Sequence, residues 1–302
     1  MLKTQVKLMK YLFCYFIGNR PEEERVHFAV SADGYNFEAL GGNKEVIIQS
    51  LGKKCCRDPY VFRGEDGVFH IIATDMRSED GWANNNSMVV WDSENLTEWK
   101  NERIIDFALF ESTKNANRVW APEVIFDKEK GEYMIYWTHN NADDDLDTVT
   151  WYAYSKDLST LTTEPKVLFK PKSGLCAIDA DIIVKDGRYY LFEADGEKEG
   201  ICYAVADSPS GPYFEPEDNK ISLADTALEG NCIYKIEATG KYVLIADQFK
   251  KGGYFMQESD DLIHFSAVPR DKFSLDHLNP RHGSVLLITD AEYERLLDFY
   301  GK

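Results

Sequence analysis

The sequence lacks long apolar runs, a surplus of positive charge and paired cysteine motifs. No stretch approaches the about 18 apolar residues of a membrane-spanning helix, so no membrane partner is expected. Lysine and arginine number 34 against 52 aspartates and glutamates, and the net charge of −18 at pH 7 argues against binding to nucleic acid or anionic membranes. The six cysteines include no Cys-x-x-Cys spacing, which favours free thiols in a reducing compartment.

A cleavable leader is not predicted either. Residues 11–18 are apolar and follow Lys10, but the next residues, 19–22, offer no small-residue cleavage site. The same segment fits a strand that recurs along the chain. We therefore expect a cytoplasmic protein. Because no linker or low-complexity stretch interrupts the chain, we predict one domain over residues 1–302.

What the sequence does contain is a repeat of about 50 to 60 residues, a period typical of propellers and solenoids. Each of the five copies has a Tyr-, Phe- or Ile-rich strand, then a strand that ends in a serine-containing turn and an aromatic residue or leucine. In four copies a short apolar strand comes before these two. The strands that end in the serine-containing turn, with their turns, are residues 28–37, 90–99, 152–161, 204–214 and 256–265.

The two ends of the chain complement each other. The N-terminal copy has outer strands but no inner strand, whereas residues 283–288 form an inner strand with no outer strands after it. Joining the ends makes a fifth blade and closes a ring, which leaves only short, protected sheet edges. The sequence therefore predicts an all-β, five-bladed β-propeller closed by its N- and C-terminal strands. A short C-terminal helix from an Asp290 N-cap is also expected.

Polar residues recur at one phase of the repeat, at the start of each predicted inner strand. Inner strands of a propeller line its central channel, so these side chains converge on the axis. They occur in the segments Arg57-Asp58-Pro59, Trp120-Ala121-Pro122-Glu123, Ile178-Asp179-Ala180, Leu228-Glu229-Gly230 and Arg281-His282-Gly283.

Converging carboxylates suit glycoside hydrolysis. One carboxylic acid protonates the leaving oxygen, and one carboxylate activates a water molecule on the opposite face of the sugar ring. Like-charge repulsion and burial raise the pKa of the acid, which keeps it protonated near neutral pH. Trp120, beside this set, would supply the apolar wall that a sugar ring needs.

These five segments, in this order and in phase with the repeats, resemble glycoside hydrolase family 43 over nearly the whole chain, from about Tyr11 to Ile288. The resemblance implies an inverting mechanism with Asp58 as general base and Glu229 as general acid. It also implies that Asp179 raises the pKa of Glu229 and positions it; Asp181, two residues on, is the alternative.

The resemblance also implies a set of binding residues. It requires no cofactor for the chemistry, but His282 matches a histidine that often lies near an axial Ca²⁺ or Na⁺ ion in the family. The Pro that commonly follows the Glu-Gly of the acid is Asn231 here, which would alter the local turn. We expect the carbohydrate substrate to contact six residues: Arg57, Trp82, Arg118, Trp120, Glu123 and Arg281. Arg57 could instead pair with Asp58.

Several activities remain open at this point. The first is exo-release of α-L-arabinofuranose from arabinan, arabinoxylan or their oligosaccharides. β-D-Xylosidase and endo-arabinanase are the alternatives within the family. A retaining, invertase-like propeller fits less well, because the Asn-Asp-Pro-type nucleophile and Glu-Cys acid are missing. A non-catalytic carbohydrate-binding propeller would be expected to lack one of the three carboxylates.

Overall fold

A computed structural model describes residues 9–143, 148–174 and 176–301, and these form five antiparallel sheets arranged as the blades of a propeller. Blade 1 begins with β1 (Met9–Tyr15), β2 (Val26–Ser31), β3 (Phe37–Ala39) and β4 (Glu45–Ile47). Blade 2 contains β5 (Cys56–Arg63), β6 (Phe69–Asp75), β7 (Ser87–Ser93) and β8 (Lys100–Asp106). Blade 3 contains β9 (Ala116–Asp127), β10 (Glu132–Asn141), β11 (Val149–Ser155) and β12 (Lys166–Phe169).

The C-terminal half completes the ring. Blade 4 contains β13 (Ala177–Lys185), β14 (Arg188–Asp195) and β15 (Gly200–Ala206). Blade 5 contains β16 (Glu229–Lys235), β17 (Tyr242–Asp247), β18 (Tyr254–Ser259) and β19 (Phe265–Ala267). The last strand, β20 (Gly283–Thr289), pairs with β1 from Gly283 opposite Tyr15 to Thr289 opposite Met9, so it is the inner strand of blade 1. The predicted closure by the two ends of the chain is confirmed.

The serine of the repeat caps the turn after the third strand of four blades. The hydroxyl oxygens of Ser31, Ser93, Ser155 and Ser259 accept hydrogen bonds from backbone N–H groups two or three residues later. The residue three positions on has a positive φ: 80° at Gly34, and 68°, 57° and 71° at the three leucines that replace it. In blade 4 the hydroxyl of Ser208 instead donates to the carbonyl of Gly211.

Buried aromatic and aliphatic side chains fill the spaces between neighbouring blades. Trp137 of β10 packs tilted against Phe107, with ring centroids 4.5 Å apart, in the cluster between blades 2 and 3. Phe13 of β1 stacks on Tyr15 and meets Tyr254 of blade 5. Such apolar contacts hold the blades at fixed angles and thereby fix the inner strands around the axis.

Helical structure is short. The one α-helix of the described residues, α1 (Asp290–Tyr300), follows β20, and its N-cap is Thr289, not the predicted Asp290. Thr289 forms a capping box with Glu292, in which each side chain accepts a hydrogen bond from the other residue's backbone N–H. Leu296 is buried against blades 1 and 2. Three-residue 3₁₀ helices occur at Ser78–Asp80, Phe107–Leu109, Glu111–Thr113, Arg270–Lys272 and Asp276–Leu278. No helix in the described ranges has the length and apolarity to cross a membrane.

The inner strands of blades 2 to 5 differ from the sequence-based prediction in where they begin. The polar residues predicted just before these strands lie within them, each at a register shift against the second strand. These shifts fall between Arg57 and Tyr60, Trp120 and Glu123, Ile178 and Asp181, and Glu229 and Cys232. A shift of this kind is a β-bulge, which bends the strand and changes the direction of its side chains.

Candidate active site

The bulges bring equivalent backbone positions of four blades to the axis. Asp58, Ala121, Asp179 and Gly230 all have positive φ, of 49°, 46°, 58° and 58°. This left-handed conformation costs energy for any residue but glycine, so the surrounding structure must hold it. It presents the carboxylates of Asp58 and Asp179 from two non-adjacent blades to one cavity.

Hydrogen bonds connect each bulge to the next blade. The Thr74 hydroxyl of β6 donates to Asp58 Oδ2 (2.8 Å) and accepts from the N–H of Ala121 (2.8 Å). Thr138, at the matching position of β10, accepts from the N–H of Asp179 (3.0 Å). Asp179 Oδ2 in turn accepts from the N–H of Gly230 (2.8 Å). Asp58 is therefore held by Thr74 of its own blade, whereas Asp179 is held by the two neighbouring blades.

A cavity of about 420 Å³ opens at this end of the axis. Asp58, Asp179 and Glu229 all line it, together with His282 and Arg281 of the fifth inner segment. The remaining lining residues are Phe16, Asn19, Arg57, Met76, Trp82, Trp120, Ile178 and Phe249. The structure thus brings the three predicted carboxylates together, whereas Asp181, the alternative to Asp179, does not line the cavity.

Asp58 is an ionised carboxylate. Burial alone would raise its pKa, but the His282 side chain, the Arg57 charge and the Thr74 hydroxyl outweigh burial and hold the pKa below its ordinary value. His282 Nδ1 lies 3.5 Å from Asp58 Oδ1. A carboxylate that stays charged at all but acidic pH is suited to accept a proton from water.

The pKa of Glu229 is shifted in the opposite direction to that of Asp58. Burial, followed by the negative charge of Asp179, raises the pKa of Glu229 to about 7, although the nearby Arg281 opposes this rise. The Arg281 guanidinium donates to Glu229 Oε1 at 3.1 Å and also pairs with Asp247, which ends β17. Glu229 therefore holds a proton near neutral pH and can donate it to an oxygen in the cavity.

Asp179 and His282 influence the ionisation of the neighbouring carboxyl groups, and their own pKa values are also shifted. Burial and then the Asp58 charge raise the pKa of Asp179, although the charge on His282 opposes the rise. Burial disfavours the charged imidazole of His282, but Asp179 and Asp58 outweigh it and raise the pKa of His282 to about 9. His282 Nδ1 is 3.8 Å from Asp179 Oδ1, so the imidazolium lies beside both carboxylates.

The axial Ca²⁺ or Na⁺ ion near His282 stays a prediction from family resemblance. Over the described ranges, no three His, Cys, Asp or Glu residues are grouped as a metal site. His282 Nδ1 is buried without a hydrogen-bond partner and lies 3.5 Å from Asp58 Oδ1 and 3.8 Å from Asp179 Oδ1.

Four of the six residues expected to bind substrate line the cavity: Arg57, Trp82, Trp120 and Arg281. Arg57 pairs with the buried Glu24 at 3.1 Å rather than with Asp58, and its guanidinium lies between the rings of Phe16 and Trp82, 4.4 and 5.0 Å from their centroids. Trp82 itself is 50% exposed. It therefore presents an aromatic surface at the mouth of the cavity.

The other two predicted binding residues, Arg118 and Glu123, are not among the lining residues. The Arg118 guanidinium lies 5.4 Å from the ring centroid of Trp120. Glu123 is buried and accepts a hydrogen bond from the Tyr136 hydroxyl at 2.6 Å. Glu123 lies after the bulge of β9, so its side chain belongs to a different layer from that of Asp58.

Sequence reasoning missed several lining residues, of which Phe16 and Phe249 present aromatic faces. Phe16 follows β1, and Phe249 follows β17 in a loop and is 42% exposed. No motif distinguishes either from an ordinary strand or loop aromatic. Asp247 was also missed, although its place in β17 matches that of Thr74 in β6 and of Thr138 in β10.

Comparisons with known proteins identify the family and the fold of the chain. A family model described as a probable glycosyl hydrolase domain, related to glycosyl hydrolase family 43, matches residues 7–294. An α-L-arabinofuranosidase of Bifidobacterium longum subsp. longum is 24% identical over 197 residues, which cover 58% of this chain and 18% of that protein. The chain thus spans less than a fifth of that relative's length.

Two solved structures show the same fold. A xylan β-1,4-xylosidase from Bacillus halodurans superposes with a TM-score of 0.63 at 15% identity, covering 90% of this chain and 53% of that one. An endo-1,4-β-xylanase from Bacteroides thetaiotaomicron superposes with a TM-score of 0.64 at 17% identity, covering 91% and 93%. At these identities the likeness concerns the fold alone.

Proposed function

The chain belongs to the family 43-related glycosyl hydrolases, and on that premise we propose that it is an inverting, exo-acting enzyme that releases terminal α-L-arabinofuranose from arabinan, arabinoxylan or their oligosaccharides. The observation that carries this proposal is the opposite ionisation of two carboxyl groups in one cavity. The pKa of Asp58 lies below its ordinary value, and that of Glu229 is raised to about 7. This is the division of roles that hydrolysis requires.

In the proposed mechanism Asp58 takes a proton from a water molecule as the water oxygen bonds to the anomeric carbon. The bond between that carbon and the leaving oxygen breaks, and Glu229 gives its proton to the leaving oxygen. Attack from the face opposite the leaving group inverts the anomeric configuration. Asp179 keeps Glu229 protonated through its negative charge and holds the N–H of Gly230.

The choice of sugar and of exo-action rests on two observations. The related protein from Bifidobacterium longum is named an α-L-arabinofuranosidase. The cavity of about 420 Å³ is near the lower end of the range of about 300–1,000 Å³ for small-molecule sites, which favours a terminal sugar over a long chain. The second candidate is β-D-xylosidase, because a structural neighbour is named a xylan β-1,4-xylosidase.

Hydrolysis of 4-nitrophenyl α-L-arabinofuranoside and 4-nitrophenyl β-D-xyloside tests the proposal. We expect turnover of the arabinofuranoside, abolished in Asp58→Ala and strongly reduced in Glu229→Ala, with initial release of the inverted sugar anomer by proton NMR. Turnover of the xyloside alone would select the second candidate. If neither aryl glycoside nor arabino- or xylo-oligosaccharides are cleaved but the oligosaccharides bind, the protein is a non-catalytic carbohydrate-binding propeller.

A further inference from the structure

A second layer of polar side chains lies on the axis next to the catalytic carboxylates. It is formed by the residues two positions after each bulge, which include Glu123 of β9 and Asp181 of β13. These two carboxyl groups are 3% and 5% exposed and neither lines the cavity. The mechanism described above gives them no role.

The two carboxyl groups interact with each other. Burial, followed by the negative charge of Asp181, raises the pKa of Glu123 well above its ordinary value, so Glu123 is the protonated partner and donates to Asp181. Burial also raises the pKa of Asp181 to about 6, although the hydrogen bonds from Ile233 and Glu123 oppose this rise. Oε2 of Glu123 accepts from the Tyr136 hydroxyl at 2.6 Å, and the Tyr136 oxygen accepts from the N–H of Ile182 at 3.0 Å. Each side chain in this hydrogen-bonded network therefore has a partner, and the network fixes the orientation of Asp181.

Asp181 in turn holds the strand that carries Glu229. Its Oδ2 accepts from the N–H of Ile233 in β16 at 2.7 Å, while Oδ2 of Asp179 accepts from the N–H of Gly230 at 2.8 Å. The bulge of β16 lies between these two bonds, since the register against β17 shifts between Glu229 and Cys232. Two carboxylates of β13 thus hold the bulge from both sides.

We propose that Asp181, held in place by Glu123, is a positioning residue that fixes the direction in which Glu229 delivers its proton. The proposal rests on the proposed role of Glu229 as general acid and extends it to a residue outside the cavity. The direction of Glu229 follows from the backbone of the bulge, and a displacement of about 1 Å in a catalytic group can cost about a hundredfold in rate.

Two substitutions of Asp181 separate positioning from general stability. Asp181→Asn keeps an oxygen that can accept from Ile233 N–H, and its amide can donate to Glu123. Asp181→Leu has the same branching but removes the acceptor. Glu193→Leu is the matched control, because Glu193 is also a buried carboxyl group of blade 4 but bonds to Thr150 of blade 3 instead of β16.

The readout compares leaving groups on the same sugar, using phenyl and dinitrophenyl α-L-arabinofuranosides. Phenol needs protonation to leave, whereas dinitrophenol does not. We expect Asp181→Leu to lower kcat on the phenyl substrate by about tenfold or more with little change in KM, and to change the dinitrophenyl rate by less than about threefold. Asp181→Asn should restore the phenyl rate to within about threefold of wild type.

Equal losses on both substrates, or a leaving-group-selective loss in Glu193→Leu, would overturn the proposal. If Asp181→Leu does not fold, Glu123→Leu takes its place. Glu123→Leu leaves Asp181 able to accept from the N–H of Ile233, but Asp181 is no longer held by Glu123. A loss of kcat confined to the phenyl substrate is therefore again expected. An equal loss of kcat on both substrates refutes the inference.

Amide hydrogen exchange keeps the inference testable if the wild type cleaves no aryl glycoside, a result that would count against the proposed function alone. The N–H of Ile233 should exchange slowly in the wild type and in Asp181→Asn. In Asp181→Leu, or in Asp181→Ala if the former does not fold, it should exchange about tenfold faster or more, because either change removes the acceptor of the Ile233 N–H. Unchanged exchange at Ile233 in that variant would show that Asp181 does not hold β16.

Discussion

Replacing Arg281 by methionine should change the pKa of Glu229 while leaving the Glu229 side chain itself unaltered. Arg281 donates to Glu229 Oε1 at 3.1 Å, and its positive charge favours the carboxylate form. Removing that charge must therefore raise the pKa of Glu229 above about 7. It also leaves Asp247 without its guanidinium partner, and the negative charge of Asp247 acts in the same direction.

The size of the shift follows from the surroundings of the pair. Two unit charges about 4 Å apart interact by about 1 kcal/mol in water and about 4 kcal/mol at the effective dielectric constant near a protein surface. The side chains of Arg281 and Glu229 are 26% and 28% exposed, so the interaction lies between these limits. Since one pKa unit corresponds to about 1.4 kcal/mol, the pKa of Glu229 should rise by about 1 to 2 units.

The assay is the pH dependence of kcat/KM, which reports the ionisation of the free enzyme. As the proposed general acid, Glu229 acts when protonated, so activity should be lost as pH rises through its pKa. The alkaline limb of the wild type should lie near pH 7, and in Arg281→Met it should move to higher pH. Lys250→Met is the control, since Lys250 forms a solvent-exposed pair with Glu199. An alkaline limb that stays in place or moves to lower pH in Arg281→Met would refute the reasoning.

Three further predictions concern stability and metal dependence. Thr289→Ala removes the N-cap of α1 and should lower the free energy of unfolding by about 1 kcal/mol in a urea titration, whereas Thr289→Ser should not. Glu24→Leu leaves the buried Arg57 guanidinium without its anion and should cost about 3 kcal/mol in the same assay, and a loss under about 1 kcal/mol would contradict this account. Treatment with EDTA should leave kcat and the melting temperature unchanged, because no three His, Cys, Asp or Glu residues are grouped as a metal site in the described ranges, and a loss restored by Ca²⁺ would show that an ion is needed.

The fold could be predicted because its signals are local and repeated. The serine turns, such as that of Ser93 with the positive-φ Leu96, recur in four blades and mark the end of the third strand in each. The bounds of the inner strands could not be predicted in this way. Asp58 and Asp179 adopt positive φ inside a strand, a conformation stabilised by hydrogen bonds with other strands and not by local sequence. Asp58 is bonded to Thr74 of the next strand in its own blade, and Asp179 is bonded to blades 3 and 5.

The candidate site could also be predicted only in part. Residues that share one phase of the repeat, such as Asp58, Asp179 and Glu229, could be placed together because the ring itself brings that phase to the axis. The sequence places Glu123 in the same segment as Trp120 and so predicts a substrate contact, but the bulge moves Glu123 one layer further along the strand. Phe249 reaches the cavity from a loop, whose path depends on tertiary packing.

The closure of blade 1 by β20 has a consequence for the order in which the enzyme becomes competent during synthesis. Asp58, Asp179 and Glu229 have all been made by the time the fifth blade leaves the ribosome, yet Arg281 and His282 come with the segment that leads into β20. An incomplete chain would hold three carboxyl groups without the two cations that set their charges. The arrangement of charges in the cavity is therefore complete only in a chain whose last strand has docked.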